Sequence, residues 1–166
     1  MEKLVIRKCE KEDVPLILNF IKQIAEYEKL RDTLTVNEAT LETSLFGHNS
    51  KAEVIIGYLN NEPIGYAVYF FNFSTFTGKN GLYLEDLFIK PEFRGKSFGK
   101  TLLHYLAQIA VEKNCGRMEW TVLDWNKPAI DFYKSIGAMP MDGWTIFRLD
   151  ESSLKNFSDN PNLKLS

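Results

Sequence analysis

The run YLEDLFIKPEFRGKSFGK, from Tyr83 to Lys100, constrains this chain more than any other part of it. Leu82 to Ile89 reads as a strand, Pro91 stops it, and a basic loop containing Gly95 and Gly99 opens a helix. A strand that delivers a loop of backbone N–H groups onto a helix N-terminus suits a phosphorylated ligand, because unpaired amides and the helix dipole both favour negative charge. Lys90, Arg94, Lys96 and Lys100 add cations there, against the acid Glu92. The strand also carries an acidic pair, Glu85 and Asp86, inside its apolar run. Anion anchoring and a candidate base therefore lie a few residues apart, which points to a cofactor-dependent enzyme.

This positive patch is local. The 166 residues carry a formal net charge of -2, which argues against a broad nucleic-acid footprint. The length fits one domain, and a 45% hydrophobic content with 12 Phe and 7 Tyr can supply its core. Cys9 and Cys115 form no CxxC pair, so neither a zinc site nor a disulfide framework is indicated, and no metal ligand set is expected. The charged N-terminus and the absence of a long apolar run predict a cytoplasmic protein without a membrane segment.

Periodicity lays out the rest. Leu4 to Arg7 reads as a strand, and Glu12-Asp13 opens a helix with Val14, Ile17, Leu18, Ile21, Ile24 and Ala25 at helical spacing, ending near Tyr27 and Glu28. Thr35-Val36-Asn37-Glu38 has capping-box form and predicts a second helix that ends before Gly47. Ala52 to Leu59 and Ile64 to Phe73 read as a hairpin turning at Asn60-Asn61, followed by a polar loop from Ser74 to Gly81. After the central strand come a helix from Gly99 to Lys113, a strand from Met118 to Leu123 and a short helix from Asn126 to Ser135. Trp144 to Leu149 reads as a last strand, and a polar tail follows Ser158. The order predicts a mixed α/β sheet in one domain, residues 1–158, with 159–166 as tail.

Gly95-Lys96-Ser97 is not a nucleotide P-loop, because that motif needs a glycine where this chain has Lys90. A dinucleotide fingerprint fails as well, since only Gly95 and Gly99 are present. The loop by itself is equally compatible with a solvated helix N-terminus bearing scattered lysines.

Two further features tip the balance: the run Asn126-Lys127-Pro128-Ala129 through Phe132-Tyr133 to Gly137-Ala138, and the N-terminal strand followed by an amphipathic helix. With the central loop, these motifs resemble the GNAT superfamily of N-acetyltransferases over nearly the whole chain. YLEDLF, RGKSFGK, DWNKPAIDFYKSIGA and the Tyr27-Glu28 pair are most similar to its spermidine/spermine branch, which includes diamine and thialysine acetylating relatives. The resemblance implies a central, largely antiparallel mixed sheet flanked by helices, acetyl-CoA as donor, a small primary amine as acceptor, and a homodimer. The family's loop pattern is Q/R-x-x-G-x-G/A. Arg94 and Gly99 match it, but Ser97 stands where the first glycine falls, a poor residue if that position needs positive φ.

Residue by residue, the resemblance implies that Leu87, Phe88 and Ile89 offer backbone groups to the pantetheine arm. It assigns the pyrophosphate to Arg94, Gly95, Lys96, Ser97, Phe98, Gly99 and Lys100, and further cofactor contacts to Asn126, Lys127, Pro128, Ala129 and Tyr133. Amine attack on a thioester needs a neutral nitrogen, and at pH 7 fewer than about one alkylammonium in a thousand is neutral. A carboxylate that takes the proton relieves this, and Glu85 matches the family position. Strand alternation sets Glu85 and Asp86 on opposite faces, so one of them should meet the acceptor. Tyr133 matches the position of the acid that protonates the departing thiolate. Tyr27, Glu28, Glu85 and Asp142 are the implied acceptor contacts. A non-catalytic acyl-CoA-binding domain and a nucleotide-dependent phosphotransferase are the competing classes.

Overall fold

The computed structural model describes residues 4–160. The chain falls into two compact units, one ending at Leu123 and the other starting at Asp124.

In the first unit, β1 (Val5–Lys8), β2 (Glu53–Leu59), β3 (Glu62–Ser74), β4 (Lys79–Ile89) and β5 (Arg117–Trp120) form one sheet, in that order. The first four strands are antiparallel to their neighbours, and β5 joins β4 in parallel. The expected mixed, largely antiparallel sheet is therefore present. Asn60 and Asn61 turn the hairpin with φ of 50° and 66°, the left-handed pair such a turn requires. The polar loop after β3 is shorter than Ser74 to Gly81, because Ser74 pairs with Lys79 and the ladder runs on from there. Gly65 lets β4 come close, since a Cβ there would strike the Phe88 carbonyl oxygen.

Helices α1 (Val14–Tyr27), α2 (Glu38–Phe46) and α3 (Phe98–Glu112) supply the other layer elements. Val14, Ile17, Leu18 and Phe20 of α1 pack with Leu41 of α2 and with Val54, Ile56, Tyr66 and Phe88 of the sheet. Phe20 stacks on Tyr66 at 5.2 Å, and Phe88 meets the Tyr66 ring edge-on at 6.5 Å. Each such pair adds about 0.5–1.5 kcal/mol beyond the area it buries. Leu102, Leu103, Leu106 and Ala110 form the buried stripe of α3, and Leu102 covers Gly57 of β2.

The start of α1 is tied to β1. Both terminal guanidinium nitrogens of Arg7 donate to Asp13, at 2.6 and 2.9 Å, and the Glu10 N–H donates to the same carboxylate at 2.7 Å. A short 3-10 turn, Lys11–Asp13, precedes the helix, so α1 begins at Val14 rather than at Glu12. The second helix also starts later than its sequence signature suggested. Asn37, not Thr35, is the cap, exchanging hydrogen bonds with Thr40. Asparagine in an extended conformation outcompetes the threonine two residues upstream.

Strand β4 contains an irregularity that positions the site. Tyr69 pairs with Leu84 and Val68 with Asp86, so the register skips one residue of β4 at Glu85. Such a bulge shifts the alternation by one residue. Leu82 and Leu84 upstream therefore share a face with Leu87 and Ile89 downstream, and Asp86 shares the α1 face with Phe88 and Tyr66. Simple alternation does not hold from Leu84 to Asp86, which lie on opposite faces although two residues apart.

The second unit contains α4 (Lys127–Ser135) and α5 (Glu151–Ser158). Asn126 caps α4, its side chain accepting from the Ala129 N–H, and Pro128 sits in the first turn. Asp150 caps α5 through the Ser153 N–H at 2.7 Å. The strand expected from Trp144 to Leu149 is not formed. That segment has no regular structure, and Trp144, Ile146, Phe147 and Leu149 are exposed. Strand-forming side chains make a strand only where a neighbouring backbone supplies the ladder. Most of the predicted tail, 161–166, lies outside the described residues.

Candidate active site

The loop after β4 has the form its sequence implied. Pro91–Phe93 makes one 3-10 turn, Gly95 follows with φ of 75°, and Ser97 has φ of 65° as the cap of α3. Position 97 does need positive φ, and this chain fills it with serine. The strain is of order 1 kcal/mol relative to glycine. Ser97 makes no side-chain capping bond, so its hydroxyl does not offset the strain at the cap. Gly95, Lys96 and Ser97 are exposed. Among the described residues no carbonyl accepts from the N–H groups of Gly95, Lys96, Ser97, Phe98, Gly99 or Lys100. Successive amides without acceptors at a helix N-terminus are donors for a pyrophosphate.

Beside the loop, β4 opens. Its parallel pairing with β5 covers Gly81 to Leu84 and stops at the bulge. Leu87, Phe88 and Ile89 continue to pair with Ala67, Tyr66 and Gly65 of β3, but among the described residues β5 offers them no partner. This edge of the strand, which β5 leaves unpaired among the described residues, runs toward the amide loop. The residues fit an extended acyl carrier ending in a pyrophosphate.

Arg94 does more than lend charge to the loop. Its Nε donates to the Ile89 carbonyl at 2.9 Å, and its guanidinium lies 4.7 Å from the Tyr27 ring centroid and 5.5 Å from that of Phe88. Such cation–π contacts contribute about 0.5–1 kcal/mol each at exposed sites. Arg94 therefore pins the C-terminal end of α1 to the end of β4. Tyr27 and Glu28, separated in sequence from the loop by most of the first unit, are brought beside it.

Glu28 is half-buried, and desolvation followed by the charge of Asp86 raises its carboxyl above the usual range. Asp86 is also half-buried and also raised, chiefly by burial, with the Tyr66 hydroxyl opposing that shift by donating at 2.8 Å. Neither acid forms a salt bridge among the described residues. Glu85 is exposed at the bulge. Asp86 and Tyr66 were not singled out as site residues from the sequence. The signal was there in the slip from Leu82 and Leu84 to Leu87 and Ile89, which marks the bulge and turns Asp86 toward α1.

Tyr133, Asn126, Lys127, Pro128, Ala129 and Asp142 belong to the second unit. Tyr133 lies on α4 with its ring tilted against Phe132 at 5.3 Å. Lys127 pairs with Asp131 along the helix at 3.1 Å. Asp142 is exposed in the irregular segment. Among the described residues, no cluster of His, Cys, Asp and Glu could hold a metal ion, and no helix is long and apolar enough to cross a membrane.

The family model for acetyltransferases of the GNAT family matches residues 20–138. The chain is 35% identical to thialysine N-epsilon-acetyltransferase of Sus scrofa, across 95% of this chain and 99% of that one. It is 33% identical to spermidine/spermine N(1)-acetyltransferase-like protein 1 of Homo sapiens, across 93% of this chain but 24% of that protein. Among solved structures, an integron cassette protein from the mobile metagenome of V. cholerae superposes with a TM-score of 0.79 at 28% identity, covering 94% of this chain and 98% of that one.

Proposed function

The chain belongs to the acetyltransferase (GNAT) family and uses acetyl-CoA as acetyl donor, and we propose that its acceptor is the primary amine of a small polyamine or diamine. A lysine-like amino acid such as thialysine is the second candidate, favoured by the likeness to the Sus scrofa enzyme. The observation that carries the acceptor assignment is Glu28, a half-buried carboxylate with no salt-bridge partner among the described residues, held beside Tyr27 near the amide loop. A desolvated anion without a cation of its own favours a ligand that brings one.

In this reading Gly95 to Lys100, with Arg94, hold the pyrophosphate, and the open edge of Leu87, Phe88 and Ile89 holds the extended arm. Asn126, Lys127, Pro128 and Ala129 add contacts from the start of α4. Tyr27, Glu28 and Asp142 receive the acceptor's ammonium groups. Bound acetyl-CoA supplies an activated acyl carbon. Glu85 takes the proton of the acceptor ammonium, directly or through water, so that the nitrogen becomes nucleophilic. Tyr133 gives its phenolic proton to the departing sulfur. One N-acetyltransferase domain over residues 1–158, working as a cytoplasmic homodimer, completes the proposal.

The test is release of CoA thiol from acetyl-CoA against spermidine, spermine, putrescine, thialysine, lysine and a short peptide. Turnover with a polyamine or diamine is expected. Turnover with the peptide alone, or with none of the amines, overturns the acceptor assignment. Tyr133→Phe should lower kcat by about 100-fold with acetyl-CoA binding retained, and unchanged turnover would remove Tyr133 as the acid.

A further inference from the structure

Arg94 carries a charge that the protein itself leaves uncompensated. Its Nε donates to the Ile89 carbonyl at 2.9 Å. Among the described residues its two terminal nitrogens have no protein acceptor, and no carboxylate stands at salt-bridge distance. The guanidinium face lies 4.7 Å from the Tyr27 ring centroid and 5.5 Å from that of Phe88. The two rings differ in how firmly they are held. Phe88 is 4% exposed and belongs to the core cluster, whereas Tyr27 is 40% exposed at the last residue of α1. Glu28 caps that helix and Lys29 leaves it with φ of 60°. One side chain therefore ties the fixed end of β4 to the exposed end of α1, with its terminal nitrogens left for an anion.

We propose that Arg94 couples the two substrate sites: through its contact with Tyr27, the donor's pyrophosphate and the acceptor's ammonium each strengthen binding of the other. This rests on the amine acetyltransferase reading above and deepens it. Two physical effects act in the same direction. The first is charge. Without donor, a bare guanidinium stands over Tyr27 and repels an ammonium that comes to the same residue. A pyrophosphate on the terminal nitrogens makes charge-assisted hydrogen bonds and cancels that repulsion. The second is order. A long arginine side chain and an exposed aromatic ring both lose rotamer freedom when either ligand arrives. The ligand that binds first orders the pair for the second, and by linkage the gain is the same in both directions. Arginine suits the task because its planar face can stack on a ring while its edge holds an oxyanion, which the point charge of lysine cannot do.

The experiment is calorimetric titration of the full chain with CoA, which has the donor's pyrophosphate but no acetyl group to transfer, and with spermidine and thialysine. Each ligand is titrated with and without the other. The amine should tighten CoA about fivefold, and CoA should tighten the amine by the same factor. In Arg94→Gln the factor should fall below about twofold. The amine should then bind the ligand-free variant at least as tightly as the ligand-free wild type, because the bare cation is gone; an arginine that only supports the fold would weaken it. Tyr27→Leu should lose the factor too, whereas Tyr27→Phe, which keeps the ring, should retain it. Combining Arg94→Gln with Tyr27→Leu should lower the factor no further than Arg94→Gln alone. A factor that survives in Arg94→Gln or in Tyr27→Leu would overturn the coupling role. If Tyr27→Leu does not fold, judged by its ligand-free thermal melt, Arg94→Gln decides alone. Wild-type protein that binds CoA but neither binds nor acetylates either amine indicts the acceptor reading and the proposal with it. Wild-type protein that binds and acetylates an amine with no mutual effect on affinity indicts the proposal alone.

Discussion

Asp13 and Asp86 each sit beside a tyrosine hydroxyl in the first unit, and their surroundings differ in one respect. Asp13 accepts from both nitrogens of Arg7 and from the Glu10 N–H, with Tyr58 at 3.5 Å, and the Arg7 hydrogen bond pulls its carboxyl below the usual range. Asp86 has Tyr66 but no cation among the described residues, and burial pushes its carboxyl up. The first carboxylate stabilises the fold by tying β1 to the start of α1. The second costs stability where it is ionised, because its burial is not offset by a countercharge among the described residues.

The comparison can be broken most decisively at Asp86. Asp86→Asn should raise Tm by roughly 2–4 °C at pH 7. A variant that loses stability would show that Asp86 is structural, like Asp13.

Asp13→Asn should do the opposite. The amide presents an N–H where Arg7 or the Glu10 N–H also donates, and a loss of about 1–2 kcal/mol is expected from denaturant unfolding at pH 7. Half-exposed Arg7 keeps the figure at the low end of what a buried pair would give. Acetyl transfer per folded molecule should be unaffected.

The pH dependence of stability sharpens the contrast. The folded-state carboxyl of Asp13 is depressed, so its contribution is complete above the unfolded value of about 3.9 and is lost as pH falls through the folded value. Asp86 is raised, so its cost is complete above its folded value and vanishes as pH falls below the unfolded one. Between pH 7 and pH 3 the advantage of Asp86→Asn over wild type should shrink toward zero, and so should the deficit of Asp13→Asn. Urea melts at the two pH values read both. A gap that widens on acidification for either variant would reverse the assigned sign.

The smallest effect concerns a cost that is not electrostatic. Ser97→Gly relieves the positive φ at the cap of α3 but frees the unfolded chain, and the net gain should be about 0.5 kcal/mol. A loss instead would show that the serine side chain stabilises the loop in a way its capping geometry does not reveal.

How legible all this was in the sequence differs from element to element. The strand, proline stop and helix around Tyr83 to Lys100 were readable because each depends on local signals, and β4, the loop and α3 follow them. The amide loop followed for the same reason. The α5 cap was also local, since Asp150 and Ser153 form a recognisable pair, but the sequence reading gave residues 150–158 no element between the strand assigned up to Leu149 and the tail after Ser158. What could not be read locally was tertiary. Arg94 reaches Tyr27 across most of the first unit, and Tyr66 reaches Asp86 across the β3–β4 ladder. The bulge lies between these cases: the slip in apolar phase marks it, but counting alternation straight through Glu85 erases it. Trp144 to Leu149 failed because β propensity describes a surface that fits a sheet, not the presence of a neighbour to pair with.

The early end of the β4–β5 ladder reaches beyond catalysis. From Leu87 to Ile89, among the described residues, β5 gives the strand no ladder partner, and an unpaired strand margin is the kind of template on which chains aggregate. A donor molecule laid along that margin caps it as another strand would. In the proposed binding mode the substrate is thus also a protective cover, and storage with acetyl-CoA should slow aggregation relative to storage without it.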